Sequence, residues 1–75
     1  MEIAPRITAE PGKLGGRPCI RGLRFLVSDL LELLANGVSV AELLEDYPYL
    51  EPEDIPAALN YAAREINHPI VSAAE

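Results

Sequence analysis

From Phe25 onward, apolar and polar positions repeat with a helical period, and the breaks between repeats are well marked. Ser28 and Asp29 open the segment SDLLELLANG, in which Leu30, Leu31, Leu33 and Leu34 gather on one side and Glu32 faces away. Asn36-Gly37 closes it, because glycine accepts the left-handed backbone that follows a helix end. The next segment begins with a capping box, Ser39 as N-cap and Glu42 at the third helical position, with Val38 and Leu43 as a hydrophobic staple. It stops near Asp46 or Tyr47, since Pro48 disfavours a helical residue before it. A third helix starts between Pro52 and Ile55 and runs to His68-Pro69; Glu53 and Asp54 suit its first turn, and Pro56 requires a start close to Asp54. Ile55, Ala58, Leu59, Ala62 and Ile66 predict a buried stripe on this helix, with Ala57, Asn60, Tyr61, Arg64 and Asn67 opposite. Tyr47 and Tyr49 flank Pro48 and are expected to cover the corner between the second and third helices.

Residues 1–25 obey a different rule. Ile3, Ile7, Ile20, Phe25 and Val27 are compatible with strands, whereas Pro5, Pro11, Gly12, Gly15, Gly16 and Pro18 interrupt any long element. Short strands are predicted near Ile3 to Thr8 and Cys19 to Leu26, the second folding at Arg21-Gly22. With no sheet of their own to complete, such strands are expected to pair with those of a second copy. The predicted architecture is mainly α: a trihelical helix-turn-helix domain, homeodomain-like or winged-helix-like, with a short N-terminal β-arm or hairpin. Residues 1–27 form the arm, 28–68 the three-helix core and 69–75 a short tail, all in one domain.

Length and charge sharpen this picture. A chain of 75 residues buries only ~60% of its unfolded surface and cannot divide its core in two. Cys19 is the only cysteine, so no internal disulfide is possible, and self-association is the expected route to extra stability. His68 is the only histidine, and no metal-binding set is expected. No stretch approaches the roughly 18 apolar residues of a membrane helix, and the N-terminus has no apolar leader core; a soluble, cytoplasmic chain is expected. The net charge of -6 is unevenly spread: residues 1–24 carry a net +3 and residues 25–75 a net -9. A cationic arm on an acidic body attracts phosphates or an acidic protein surface, or else neutralises the body of its own molecule or its dimer mate.

The arm centres on GKLGGRPCIRGLRF, residues 12–25, which holds four of the six basic residues among four glycines. It contains no GxxxxGK[ST], so it is not a nucleotide phosphate loop. Its glycines supply turns and Pro18 stiffens the strand, so that Arg17, Arg21 and Arg24, with Lys13, are presented to phosphates or carboxylates. Asn60, Tyr61 and Arg64 on the third helix are secondary candidates for contact with DNA or a protein; an ordinary solvated face is the alternative. Cys19 has no histidine beside it in the motif and reads as a small buried hydrophobe, and His68 as a helix-end group. With no nucleophile and base in one motif, neither an enzyme, a cofactor nor a small-molecule substrate is expected.

The order Gly16-Arg17-Pro18-Cys19-Ile20-Arg21-Gly22-Leu23-Arg24, then ANGVS, then AELLEDYPYLEPEDIPAALNYA, resembles the bacterial family known as domain of unknown function 433. The resemblance runs from about Ile7 to Ala63, with Glu10, Leu23 and Pro56 departing from residues common in the family. It implies a small helix-turn-helix antitoxin of a type II toxin-antitoxin pair. Such a protein neutralises a PIN-like ribonuclease toxin and represses its own operon by binding operator DNA as a homodimer, here joined through the N-terminal arms. The alternative is a protein-interaction and dimerisation module that never touches DNA.

Overall fold

Local capping places the three helices. The computed structural model describes residues 1–67, Pro69 and Val71; the expectations for His68, and for residues 70 and 72–75 of the tail, lie outside the described residues. Helix α1 (Val27–Ala35) ends as Asn36-Gly37 predicts: Gly37 adopts φ +90°, its N–H donates to Leu34 O at 3.0 Å, and Val38 N–H donates to Leu33 O at 3.1 Å. This paired closure satisfies carbonyls that the helix end leaves open. Helix α2 (Val40–Asp46) begins on the capping box, with Glu42 N–H donating to Ser39 Oγ at 3.1 Å and Ser39 N–H to Glu42 Oε1 at 2.9 Å. Helix α3 (Asp54–Ile66) starts where Pro56 allows, within a first turn that has no need of that missing N–H.

The N-terminal third corrects the predicted architecture. In place of a short β-arm or hairpin there is a three-stranded antiparallel sheet, ordered β1-β2-β3, from β1 (Glu2–Ala4), β2 (Ile7–Thr8) and β3 (Cys19–Ile20). Ala4 pairs with Ile7, Ile7 with Ile20 and Thr8 with Cys19. The fold is therefore a sheet joined to three helices, not a mainly α trihelical domain with an appendage. The strands pair with one another within a single chain, with β1 as the edge strand. Strand β3 continues through a turn whose central residues, Arg21 at φ +42° and Gly22 at φ +74°, are both left-handed, closed by Leu23 N–H to Ile20 O at 2.7 Å. The loop of residues 21–24 is closed by Ile20 N–H donating to Phe25 O at 2.9 Å, and Cys19 bridges back to Leu26 as the hairpin's other arm.

Sheet and helices share one core. Ile7, Ile20, Leu30, Leu43 and Ala58 have no exposed surface, and Phe25, Val27, Leu50 and Ile55 are nearly as buried. Each large apolar side chain so enclosed contributes about 1.5–3 kcal/mol. Cys19 is buried, 1% exposed, as expected of a small hydrophobe. The stripe predicted on α3 is only half correct: Ile55 and Ala58 are buried, but Leu59 is 48% and Ile66 73% exposed. Helix α3 contacts β2 and α1, and its apolar pattern is wider than the face these cover.

One polar group sits inside this core. Asp54, at the start of α3, has no exposed surface and accepts hydrogen bonds from two arginines of the sheet region. Arg6 Nε donates to Asp54 Oδ1 at 2.9 Å, while Arg21 Nε and Nη2 donate to Oδ1 at 3.0 Å and Oδ2 at 3.1 Å. Glu51 N–H donates to Oδ2 at 2.8 Å. Arg21 Nη2 also donates to Tyr49 O at 2.7 Å, and Arg6 pairs with Glu51. Both arginines hold left-handed backbone, Arg6 at φ +65°, a conformation that costs a non-glycine residue about 1–3 kcal/mol. Asp54 does lie in the first turn of α3, and it is also the buried pin between sheet and helix.

Burial by itself drives the Asp54 carboxyl toward its neutral form. The hydrogen bonds from Arg21, from the Glu51 N–H and from Arg6 outweigh it and hold the pKa below the ordinary aspartate value. A carboxyl whose pKa is depressed by folding stabilises the fold fully above its unfolded value of about 3.9 and loses that contribution as pH falls. Asp54→Ala is expected to lower the unfolding free energy by about 2–4 kcal/mol in urea, below the full cost of breaking a buried pair because both arginines are partly hydrated. The stability of the unaltered protein should fall below about pH 4, and Asp54→Asn should flatten part of that acid limb.

Candidate functional site

The basic residues of the arm do not form one patch. Arg21 is committed to Asp54 and Tyr49 O, and Lys13 Nζ donates to the carbonyl of Gly22, tying the 10–17 loop to the hairpin turn. Arg17 is exposed, with Nε donating to Leu14 O at 3.0 Å, and Arg24 is exposed with no ion pair among the described residues. Asn60, Tyr61 and Arg64 do come together: with Ala57 they line a hollow of about 380 Å³ against Ala4 and Pro5. Tyr61 is half-buried there, and burial together with the charge of Glu65 raises its pKa despite Arg64 nearby.

A second hollow lies on the acidic side of the molecule, and the sequence candidates did not include it. It has a volume of about 310 Å³ and is lined by Asp29, Glu32 and Leu33 of α1 and its C-cap Asn36, with Phe25 and Tyr47. These four residues are spaced i, i+3, i+4 and i+7, which puts them on one side of the helix and its end. Phe25 and Tyr47 stand edge-to-face, ring centroids 4.9 Å apart at 83°, and Tyr49 joins at 6.4 Å from Phe25 and 6.2 Å from Tyr47. Tyr47 is half-buried against the core, while Tyr49 remains 51% exposed.

The lining of this hollow brings together residue types that can hold a cation. Two carboxylates that form no ion pair among the described residues stand beside aromatic rings, where a guanidinium or ammonium group gains charge-assisted hydrogen bonds and a cation–π contact. The recurrence of Asp29, Glu32 and Asn36 along the polar side of α1 is the signal in the sequence that could have drawn attention to it. Among the described residues no cluster of three or more His, Cys, Asp or Glu could hold a metal ion, and no helix is long and apolar enough to cross a membrane.

Similarity to known proteins agrees with the fold. The profile of the family described as "Protein of unknown function (DUF433)" matches residues 7–62. The uncharacterized protein y4eO of Sinorhizobium fredii (strain NBRC 101917 / NGR234) is 43% identical over 56 residues, covering 75% of this chain and 25% of that protein. The chain thus spans about a quarter of the length of this curated relative. The crystal structure of a DUF433 member from Anabaena variabilis ATCC 29413 superposes with a TM-score of 0.75 at 37% identity, covering 79% of this chain and 58% of that one.

The two arginines flanking the hairpin turn have separable roles. Arg21→Ala is expected to destabilise the fold by more than about 1 kcal/mol, since it strips donors from a buried carboxylate, while Arg24→Ala stays within about 0.5 kcal/mol of the unaltered chain. Paired urea titrations measure both.

Proposed function

The chain belongs to the DUF433 family, and from that premise we propose that it is an antitoxin-like regulator that neutralises a partner protein carrying a basic working surface. A PIN-like ribonuclease is the partner that the family resemblance implies. A nuclease that holds RNA needs a cationic surface, and an acidic body of net -9 over residues 25–75 is matched to one. The observation that carries this reading is the hollow on α1. Asp29 and Glu32 bind an arginine or lysine of the partner, the Tyr47 ring stacks on its cationic face, and the exposed edge of Tyr49 extends the contact.

Operator binding is a second reading, favoured by the exposure of Arg17 and Arg24. Arg6 and Arg21 take no part in it, because both are held by Asp54. Phosphate contact then rests on a small set of cations at the 10–24 loops, without help from the acidic start of α3.

Two measurements test these assignments. The product of the adjacent gene should co-purify with the chain, and Asp29→Lys with Glu32→Lys should weaken that capture at least about tenfold, with the native affinity falling as ionic strength rises. Undiminished capture by the double variant would remove α1 from the interface. On upstream DNA, Arg17→Ala with Arg24→Ala should reduce the slope of log affinity against log salt by about two. No native binding at low salt ends the operator reading.

A further inference from the structure

We infer that the groove between β1 and α3 is a docking site for an extended segment of a partner protein, which adds a strand to the sheet and sets an acidic side chain on Arg64. β1 is the edge of the sheet, and no strand covers its outer side among the described residues. Met1 and Ala9 exchange both of their main-chain hydrogen bonds, at 3.3 and 3.0 Å, and Glu2 pairs with Thr8 beside them. In an antiparallel ladder the residue next to such a pair turns its N–H and C=O away from the partner strand. Glu2 therefore offers one donor and one acceptor to an added strand.

A track follows this edge. A hollow of about 350 Å³ is lined by Glu2, Ile3, Ala4 and Pro5, and the hollow of about 380 Å³ against α3 shares Ala4 and Pro5 with it. An added strand places the side chain level with Ala4 on the same face of the sheet as Ala4, and so into the α3 hollow. Charge sets what that side chain is. Arg64 is exposed and forms no ion pair or side-chain hydrogen bond among the described residues, and the amide of Asn60, one turn earlier, forms none either. The Glu2 carboxylate is taken up by the Arg6 N–H at 3.0 Å. An incoming carboxylate meets the guanidinium fork with Asn60 and the Tyr61 hydroxyl as further donors, over apolar surface from Ala4, Pro5 and Ala57. A nucleic acid fits this site poorly: one arginine answers one phosphate, and the net -9 of residues 25–75 repels the others. With a short edge and an exposed cation the affinity is low, on the order of 0.1–1 mM for an isolated peptide. The site shares no residue with the α1 hollow, and the inference does not rest on the partner assigned there.

The probes are short acetylated and amidated peptides of alternating valine and threonine, whose central residue is glutamate, glutamine or lysine. Titrated into the isotope-labelled full chain, the glutamate peptide should shift amide signals of residues 2–4 and 57–64 together. It should bind about fivefold more tightly than the glutamine peptide, by a margin that shrinks as salt rises. Arg64→Gln should remove that preference and Arg64→Glu should turn it toward the lysine peptide, with a matching urea midpoint showing each variant folded. N-methylation of alternate peptide residues should abolish binding in one phase and spare it in the other, as main-chain pairing requires. No binding by any of the peptides, equal binding by all three, indifference to both Arg64 variants, or shifts confined to α3 would overturn the proposal. So would shifts at residues 2–4 that grow with protein concentration when no peptide is present, since a second copy would then be the occupant. Asp29→Lys with Glu32→Lys should leave the peptide preference intact, which separates this result from the partner test.

Discussion

A fully enclosed carboxylate between two arginines is the constraint on which the rest of this molecule depends. Asp54 opens α3, Arg6 closes the β1–β2 turn, and Arg21 starts the turn after β3; one side chain thus joins three segments whose own backbone pairing would not hold them. Strands of two or three residues are marginal alone. They persist because Ile7 and Ile20 are sealed beneath the helices and because the turns that flank them are anchored to a helix end. The left-handed backbone at Arg6 and Arg21 belongs to the same arrangement: each residue accepts a strained conformation that aims its guanidinium at Asp54.

That arrangement also decides what the surface can do. Two of the five arginines are turned inward, so the cationic leader is less cationic in space than in sequence. On the helices Asp29, Glu32, Glu45 and Asp46 form no ion pair among the described residues. The exterior offered to a partner is thus largely anionic around α1 and apolar along α3, two characters suited to protein surfaces more than to a phosphate backbone.

The helices were legible because their ends are written locally. Ser39 with Glu42, and Asn36 with Gly37, act within four residues, so a reader of the sequence needs no tertiary information to place them. The hairpin turn at Arg21-Gly22 was legible for the same reason. The sheet was not, since two- and three-residue strands are too short to display alternation and their pairing joins Thr8 to Cys19 across a loop. Nor was the role of Arg21: its partner lies 33 positions away, and a guanidinium suits a phosphate and a carboxylate equally well. Leu59 and Ile66 were assigned to the core because helical spacing reports which residues share a side, not how far a neighbouring element extends to cover them. The α1 hollow combines residues of one helix with aromatics 2 and 12 positions beyond its ends, Val27 to Phe25 and Ala35 to Tyr47, and only the helix part left a trace in the sequence.

The separation between Arg6 and Asp54, 48 positions, orders events during synthesis. A ribosome makes the leader first, yet the leader cannot settle until α3 has begun to emerge. All 48 positions are therefore translated before Arg6 meets its counterion, and the turn that holds it closes late, back from the start of α3.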